Sequence, residues 1–119
     1  MQSVCVFLSS SLGLAAHATA MQELAAEMVR RKLTLVYGGA HRGLMGVLAD
    51  AVLAHGGRAI GVIPRALVDL EVAHTGLTEL HVVETMHQRK AMMFTLADAF
   101  LVAPGGLGTL EEAFETMTG

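Results

Sequence analysis

Apolar residues fall along this chain in two alternating patterns, short continuous runs and stripes at helical spacing. Ser3-Val4-Cys5-Val6-Phe7-Leu8 is a continuous β-prone run, whereas Met21, Leu24, Ala25, Met28 and Val29 recur every three to four positions with charges between them. The first pattern is that of a strand buried on both sides, the second that of a helix with one apolar face. The alternation then repeats. Leu33-Thr34-Leu35-Val36-Tyr37 predicts a second strand ended by Gly38-Gly39, and Leu44, Met45, Leu48, Val52 and Leu53 mark a second helix that Gly56-Gly57 terminates. Ala59 to Ile63 predicts a third strand, stopped at Pro64 because proline has no N–H for the ladder. After a less regular connector, Leu80 to Glu84 predicts a short fourth strand, Met86 to Leu96 a helix, and Ala97 to Val102 a fifth strand.

Apolar strands alternating with amphipathic helices require a mostly parallel sheet covered on both faces, since each parallel crossover lays a helix on the sheet. The expected fold is α/β, a doubly wound, Rossmann-like three-layer sandwich, with residues 1–119 forming one nucleotide-binding domain. Ligands of such sheets sit beyond the carboxyl ends of the strands. Three loops of small residues leave strands at that edge: Ser9-Ser10-Ser11-Leu12-Gly13, Gly38-Gly39-Ala40 and Pro104-Gly105-Gly106. They are expected to converge on one crevice. The sequence stops at Gly119, about two turns into the helix expected from Thr109, and so reads as a domain cut short at its carboxyl end.

Composition narrows the classes of function. With 119 residues, 53% of them hydrophobic and only 4% aromatic, the chain can bury one sizeable core built from aliphatic side chains and methionine. A net charge of -3 leaves no broad basic face for nucleic acid, so any phosphate it holds belongs to a small molecule. No apolar run reaches the ~20 residues of a membrane-spanning helix, and the first residues lack the basic start of a secretory signal. The one cysteine, Cys5, excludes a disulfide framework and suits a reducing cytoplasm. Six histidines show no zinc-ligand spacing, so no metal is expected.

The chemistry concentrates in two stretches. Pro104-Gly105-Gly106-Leu107-Gly108-Thr109 joins the fifth strand to an acidic, helix-compatible segment. Gly105, Gly106 and Gly108 let a backbone approach an anion closely, Thr109 can cap the helix, and a helix N-terminus carries roughly half a positive charge. Glu111 and Glu112 follow. Either carboxylate could complement the helix dipole, and Glu112 could instead face the crevice and act on a bound sugar phosphate. The second stretch, Met86-His87-Gln88-Arg89-Lys90, puts two cations at a helix start, where they oppose the dipole and need another reason to be there. Adjacent residues diverge by about 100° around a helix, so one of Arg89 and Lys90 faces a ligand and the other flanks it. An arginine fork suits a phosphate or carboxylate.

These stretches carry a resemblance. Pro104 to Glu112 matches PGGxGTxxE, Met86 to Lys90 matches MHxRK, and Tyr37-Gly38-Gly39-Ala40-His41-Arg42-Gly43-Leu44-Met45-Gly46 is similar to YGGGxxGLMG. Together they resemble the Lonely Guy (LOG) family, cytokinin riboside 5'-monophosphate phosphoribohydrolases often labelled lysine decarboxylases. Gly61 to Pro64 and Glu71-Val72-Ala73-His74 also look like family segments. The resemblance implies an N-glycosidase that hydrolyses a nucleoside 5'-monophosphate, a cytokinin riboside monophosphate or AMP, to free base and ribose 5-phosphate without a cofactor. It places the catalytic roles on Arg89 and Glu112. It assigns the 5'-phosphate to Gly105, Gly106, Gly108 and Thr109, and the rest of the substrate site to Ser10, Glu71, Lys90 and Thr118. It also implies a homodimer or higher homo-oligomer with no nucleic-acid or membrane partner. Two positions depart from the family: Ser9 stands where a glycine is usual, and Ala40 replaces the third glycine of the second motif.

Other classes remain on the same scaffold. A nucleotide or cofactor carrier would bind without hydrolysis. A nicotinamide-dependent oxidoreductase would want G-x-G-x-x-G after the first strand, where Ser9 to Gly13 has one glycine. A pyridoxal-dependent decarboxylase would want a Schiff-base pocket, and nothing around Lys32 or Lys90 suggests one.

Overall fold

The computed structural model describes residues 2–8, 15–70 and 72–103. Five strands alternate with four helices: β1 (Ser3–Leu8), α1 (Ala15–Arg30), β2 (Thr34–Tyr37), α2 (Gly43–Ala54), β3 (Ala59–Pro64), α3 (Arg65–Asp69), β4 (Glu79–Val83), α4 (Met86–Leu96) and β5 (Ala99–Ala103). The sheet order is β4-β3-β2-β1-β5 and every pairing is parallel. The chain therefore steps from β1 outward to β4, then crosses back to place β5 on the free side of β1. That reversal of direction is the expected doubly wound signature.

Alternate strand residues point to opposite faces, and each face has its own core. Val4, Val6, Leu35, Tyr37, Ala59 and Leu101 pack against Met21, Leu24, Ala25 and Met28 of α1 and Leu48, Ala49 and Val52 of α2. On the other face Cys5, Val36 and Val62 meet Met93 of α4, with Ile60, Met92, Leu96 and Phe100 around them. The apolar stripes read from the sequence are thus the buried stripes. The α4 face is less covered: Phe7, Phe94 and Val102 remain exposed, with Phe100 stacked on Phe7 and tilted against Phe94.

Local polar contacts set the element ends. α1 closes on Leu33 N–H to Met28 O and Lys32 N–H to Val29 O, with Lys32 left-handed at φ 59. This is the double hydrogen bond of a Schellman turn, with lysine where glycine is usual. The start of β1 is tied to β5 by Asp98, whose carboxylate accepts from the Gln2 and Ser3 amides at 2.7 and 3.1 Å, while Ser3 Oγ donates to Leu96 O. Those amides hold the Asp98 carboxyl below its ordinary range.

Two expectations are corrected. The connector after β3 contains α3, a five-residue helix with no buried residue, too short and too exposed to leave a periodic signature. Pro64 is the last residue of β3 as well as the N-cap of α3. It ends the strand from inside, its fixed φ of -67 suiting both roles. No described helix is long and apolar enough to cross a membrane.

Candidate functional site

The turn after β2 and the start of α4 meet at the carboxyl edge of the sheet. α4 begins at a capping box: Thr85 Oγ1 accepts from the Gln88 amide at 3.0 Å, and Gln88 Oε1 accepts from the Thr85 amide at 3.2 Å and the Glu84 amide at 2.8 Å. One turn later Arg89 faces the sheet. Its Nε donates to Val62 O at 2.8 Å and its Nη2 to Gly38 O at 2.6 Å, so a single side chain ties α4 to β3 and to the turn after β2. Arg89 is half-buried, and that burial pulls its guanidinium down from the ordinary arginine range. Two of its five N–H groups are spent on these carbonyls, and Nη1 donates to Met86 Sδ at 4.0 Å, a weak acceptor.

Gly38 is glycine for a steric reason, because a Cβ there would lie 2.2 Å from Arg89 Nη2. Gly39 has φ +82, the left-handed region that side chains avoid. Ala40 does not share that conformation, since Lys32 is the one non-glycine with positive φ among the described residues. Alanine therefore fits the backbone where the family pattern has its third glycine. Ala40 O accepts from Tyr37 Oη at 2.8 Å, and burial raises the Tyr37 phenol above its usual range.

A cavity of about 610 Å³ opens here, lined by Val6, Phe7, Gly38, Met45, Met86, Arg89, Lys90, Met93 and Phe94. Its walls are apolar and its polar atoms cluster at Arg89 and Lys90. Of the two cations, Arg89 is drawn inward and Lys90 stays exposed at the rim without a hydrogen-bond or ion-pair partner among the described residues. One faces the site and the other flanks it, as helical geometry requires. Cys5 lies behind Arg89, and burial pushes its thiol up to about 12 against the lowering pull of that guanidinium. Among the described residues no group of three His, Cys, Asp or Glu side chains could hold a metal ion.

Of the residues expected at the site, Arg89 and Lys90 are brought to this cavity. Ser10, Glu71, Gly105, Gly106, Gly108, Thr109, Glu112 and Thr118 lie outside the described residues, as do the loops Ser9 to Gly13 and Pro104 to Gly106. The sequence reading missed the apolar wall. Its signal was present, because Met86, Arg89, Lys90, Met93 and Phe94 follow the i, i+3, i+4, i+7, i+8 spacing of one helix face.

An all-parallel sheet with helices on both faces, reversed in order beside β1 and holding a cationic cavity at its carboxyl edge, defines a doubly wound α/β protein of the Rossmann-like class. The profile of a family described as "Possible lysine decarboxylase" matches residues 45–119, and the chain belongs to this family, the LOG family. Similar curated proteins include the cytokinin riboside 5'-monophosphate phosphoribohydrolase of Rhodococcoides fascians, 60% identical over 92 residues, covering 76% of this chain and 46% of that protein. Another is the enzyme of the same activity named LOG5 in Arabidopsis thaliana, 46% identical over 115 residues, covering 96% of this chain and 50% of that protein. The chain thus spans about half the length of the curated relatives it matches. Among solved structures, the molybdenum cofactor carrier protein of Chlamydomonas reinhardtii superposes with a TM-score of 0.70 at 17% identity over 98% of this chain and 71% of that one. The molybdenum cofactor binding protein of Rippkaea orientalis superposes at 0.71, also at 17% identity, over 95% and 68%. At such identities the likeness shows the fold alone.

Proposed function

We propose that this chain carries the nucleotide half-site of a phosphoribohydrolase that cleaves the N-glycosidic bond of a nucleoside 5'-monophosphate. The observation that carries the reading is Arg89, half-buried and held on Val62 O and Gly38 O at the mouth of an apolar cavity, in a chain 60% identical to a cytokinin riboside 5'-monophosphate phosphoribohydrolase. An apolar wall beside one anchored cation suits a ligand with a flat base at one end and a charged ester at the other.

In this reading Gly105, Gly106, Gly108 and Thr109 hold the 5'-phosphate on backbone amides, and Ser10, Glu71, Lys90 and Thr118 complete the site. Water adds its hydroxyl to the anomeric carbon as the bond to the base nitrogen breaks, and its remaining proton ends on the base or the solvent. Glu112 steadies the ribosyl cation or directs the water. Arg89 fixes the substrate or assists the departing base. Residues 1–119 act as one nucleotide-binding domain with no organic cofactor or metal. The protein works in the cytoplasm as a homodimer or higher homo-oligomer, a reading supported by the exposed apolar side chains of Met86, Phe94 and Val102.

Incubating the full-length protein with AMP and with a prenylated AMP, and assaying free base and ribose 5-phosphate, tests the proposal. Turnover that collapses in Arg89→Ala and Glu112→Ala supports it. Turnover unchanged in both variants rules the roles out, and nucleotide recovered intact after long incubation would mark a carrier instead.

A further inference from the structure

The Gly38-Gly39 turn has little conformational preference of its own, so the direction of its carbonyls must be set by groups outside it. Gly38 O is one of the two carbonyls on which Arg89 rests, Val62 O of β3 being the other. The next carbonyl, Gly39 O, accepts from the His74 amide at 2.8 Å, and two residues on the His41 amide donates to Val72 O at 2.9 Å. Ala40 and Ala73 form the antiparallel bridge between these two bonds. The connector between α3 and β4 is therefore laid along the turn like a splint. Thr78 pairs the far end of the splint with Ala59 of β3, and one side chain ties its near end to α2. His74 Nε2 lies 2.6 Å from Asp50 Oδ1 on α2, and His74 Nδ1 accepts from the Gly76 amide at 2.9 Å.

The second bond decides the proton. A ring nitrogen that accepts from an amide has its lone pair there, so the hydrogen of the neutral ring sits on Nε2 and points at Asp50. Both ring nitrogens are used, and the side chain is only 11% exposed although Asp50 is 67% exposed. An exposed carboxylate bound to histidine adds little stability by itself. Its effect lies in placement, because it fixes the connector to α2 and thereby the turn whose Gly38 carbonyl lies under Arg89.

We propose that His74, held by Asp50, is a positioning residue for Arg89, acting through the Gly38-Gly39 carbonyls. The proposal rests on the reading that Arg89 works on the substrate. It gives His74 a role in the reaction without contact with the reacting atoms. His74→Asn keeps an acceptor for the Gly76 amide and loses Asp50. Asp50→Ala loses the same bond from the other side, and Asp50→Asn keeps an acceptor oxygen.

In the full-length protein, kcat/KM for AMP is expected to fall about tenfold in His74→Asn and in Asp50→Ala, at temperatures well below their melting points, and to recover to within about twofold of the parent in Asp50→Asn. A second measurement does not depend on turnover. In NMR spectra of the same proteins, the Arg89 Nη2 N–H resonances, which report on the bond to Gly38 O, are expected to shift and exchange faster with solvent in Asp50→Ala, together with the His74 amide. Loss of protection at the His74 amide with the Arg89 signal unchanged would make His74 a purely structural residue and overturn the proposal, as would parent-like kcat/KM in folded His74→Asn. Should the parent leave AMP intact, the substrate reading fails, and the Arg89 signal still decides the positioning role.

Discussion

The Arg89 guanidinium fills the space that a side chain on Gly38 would need. Its Nη2 donates to Gly38 O at 2.6 Å, and a Cβ built on Gly38 would approach the same nitrogen to 2.2 Å. Residues 51 positions apart are therefore matched in both hydrogen bonding and shape. Gly38→Ala is expected to push Arg89 out of its seat while the strand beneath still forms. A displacement of about 1 Å in a substrate-positioning group can cost ~100-fold, so kcat/KM for AMP should fall by about that factor in the full-length protein. Steady-state kinetics beside a circular-dichroism melt separate this from unfolding, and parent-like turnover would refute it.

Helix capping upstream of Arg89 gives a stability test. Thr85→Ala removes the acceptor for the Gln88 amide and should cost about 1 kcal/mol in urea denaturation. Gln88→Ala removes the reciprocal half, the acceptor for the Glu84 and Thr85 amides. Because the two side chains form one box, the double variant should lose less than the sum of the singles.

Lys32 predicts a gain. Its φ of 59 places a Cβ-bearing residue in the left-handed region at the end of α1, where its amide and that of Leu33 close the helix. Lys32→Gly keeps both bonds and relieves the strain, so stability should rise by about 1 kcal/mol. Equilibrium unfolding of the two proteins decides it, and a loss would show that the lysine side chain contributes more than its backbone costs.

Cys5 sets an alkaline limit. Its thiol, raised by burial from 9.0 to about 12, stays protonated in the folded chain while the unfolded chain ionises. Its contribution to stability is whole below the unfolded value and drains away as pH climbs from 9.0 towards 12. Cys5→Ala should flatten that part of the pH–stability curve relative to the parent. At mildly alkaline pH, iodoacetamide should modify Cys5 in denaturant and leave it untouched in the folded protein. Rapid modification of the folded form would contradict its burial.

Most of the sheet was legible because strand signals here are local. Val4 to Leu8 and Ala59 to Ile63 are apolar on both sides, and their runs end at three serines and at Pro64. The start of the last strand was read two residues early, since Ala97-Asp98 runs without a glycine or proline into the apolar stretch from Ala99, whereas Asp98 is occupied with the Gln2 and Ser3 amides. β4 begins one residue before the expected Leu80, at the sheet edge where three of its five positions are exposed and the pattern fades. At the site, the position of Arg89 on a helix was readable from MHxRK, but its two carbonyl partners lie 27 and 51 residues away and follow from topology. For the same reason His74 and Asp50, 24 residues apart, gave no signal as a pair. Exposed α3 buries nothing and left none either.

The two carbonyls under Arg89 also determine when its water is lost. A cation moving from solvent onto a substrate must shed hydration during binding, and that penalty weakens the grip. Here much of the stripping is completed as the chain folds, so an arriving anion meets a charge already aimed and partly dry. Preorganisation of this kind shifts the expense of dehydration from each encounter with an anion to a single event in the life of the molecule.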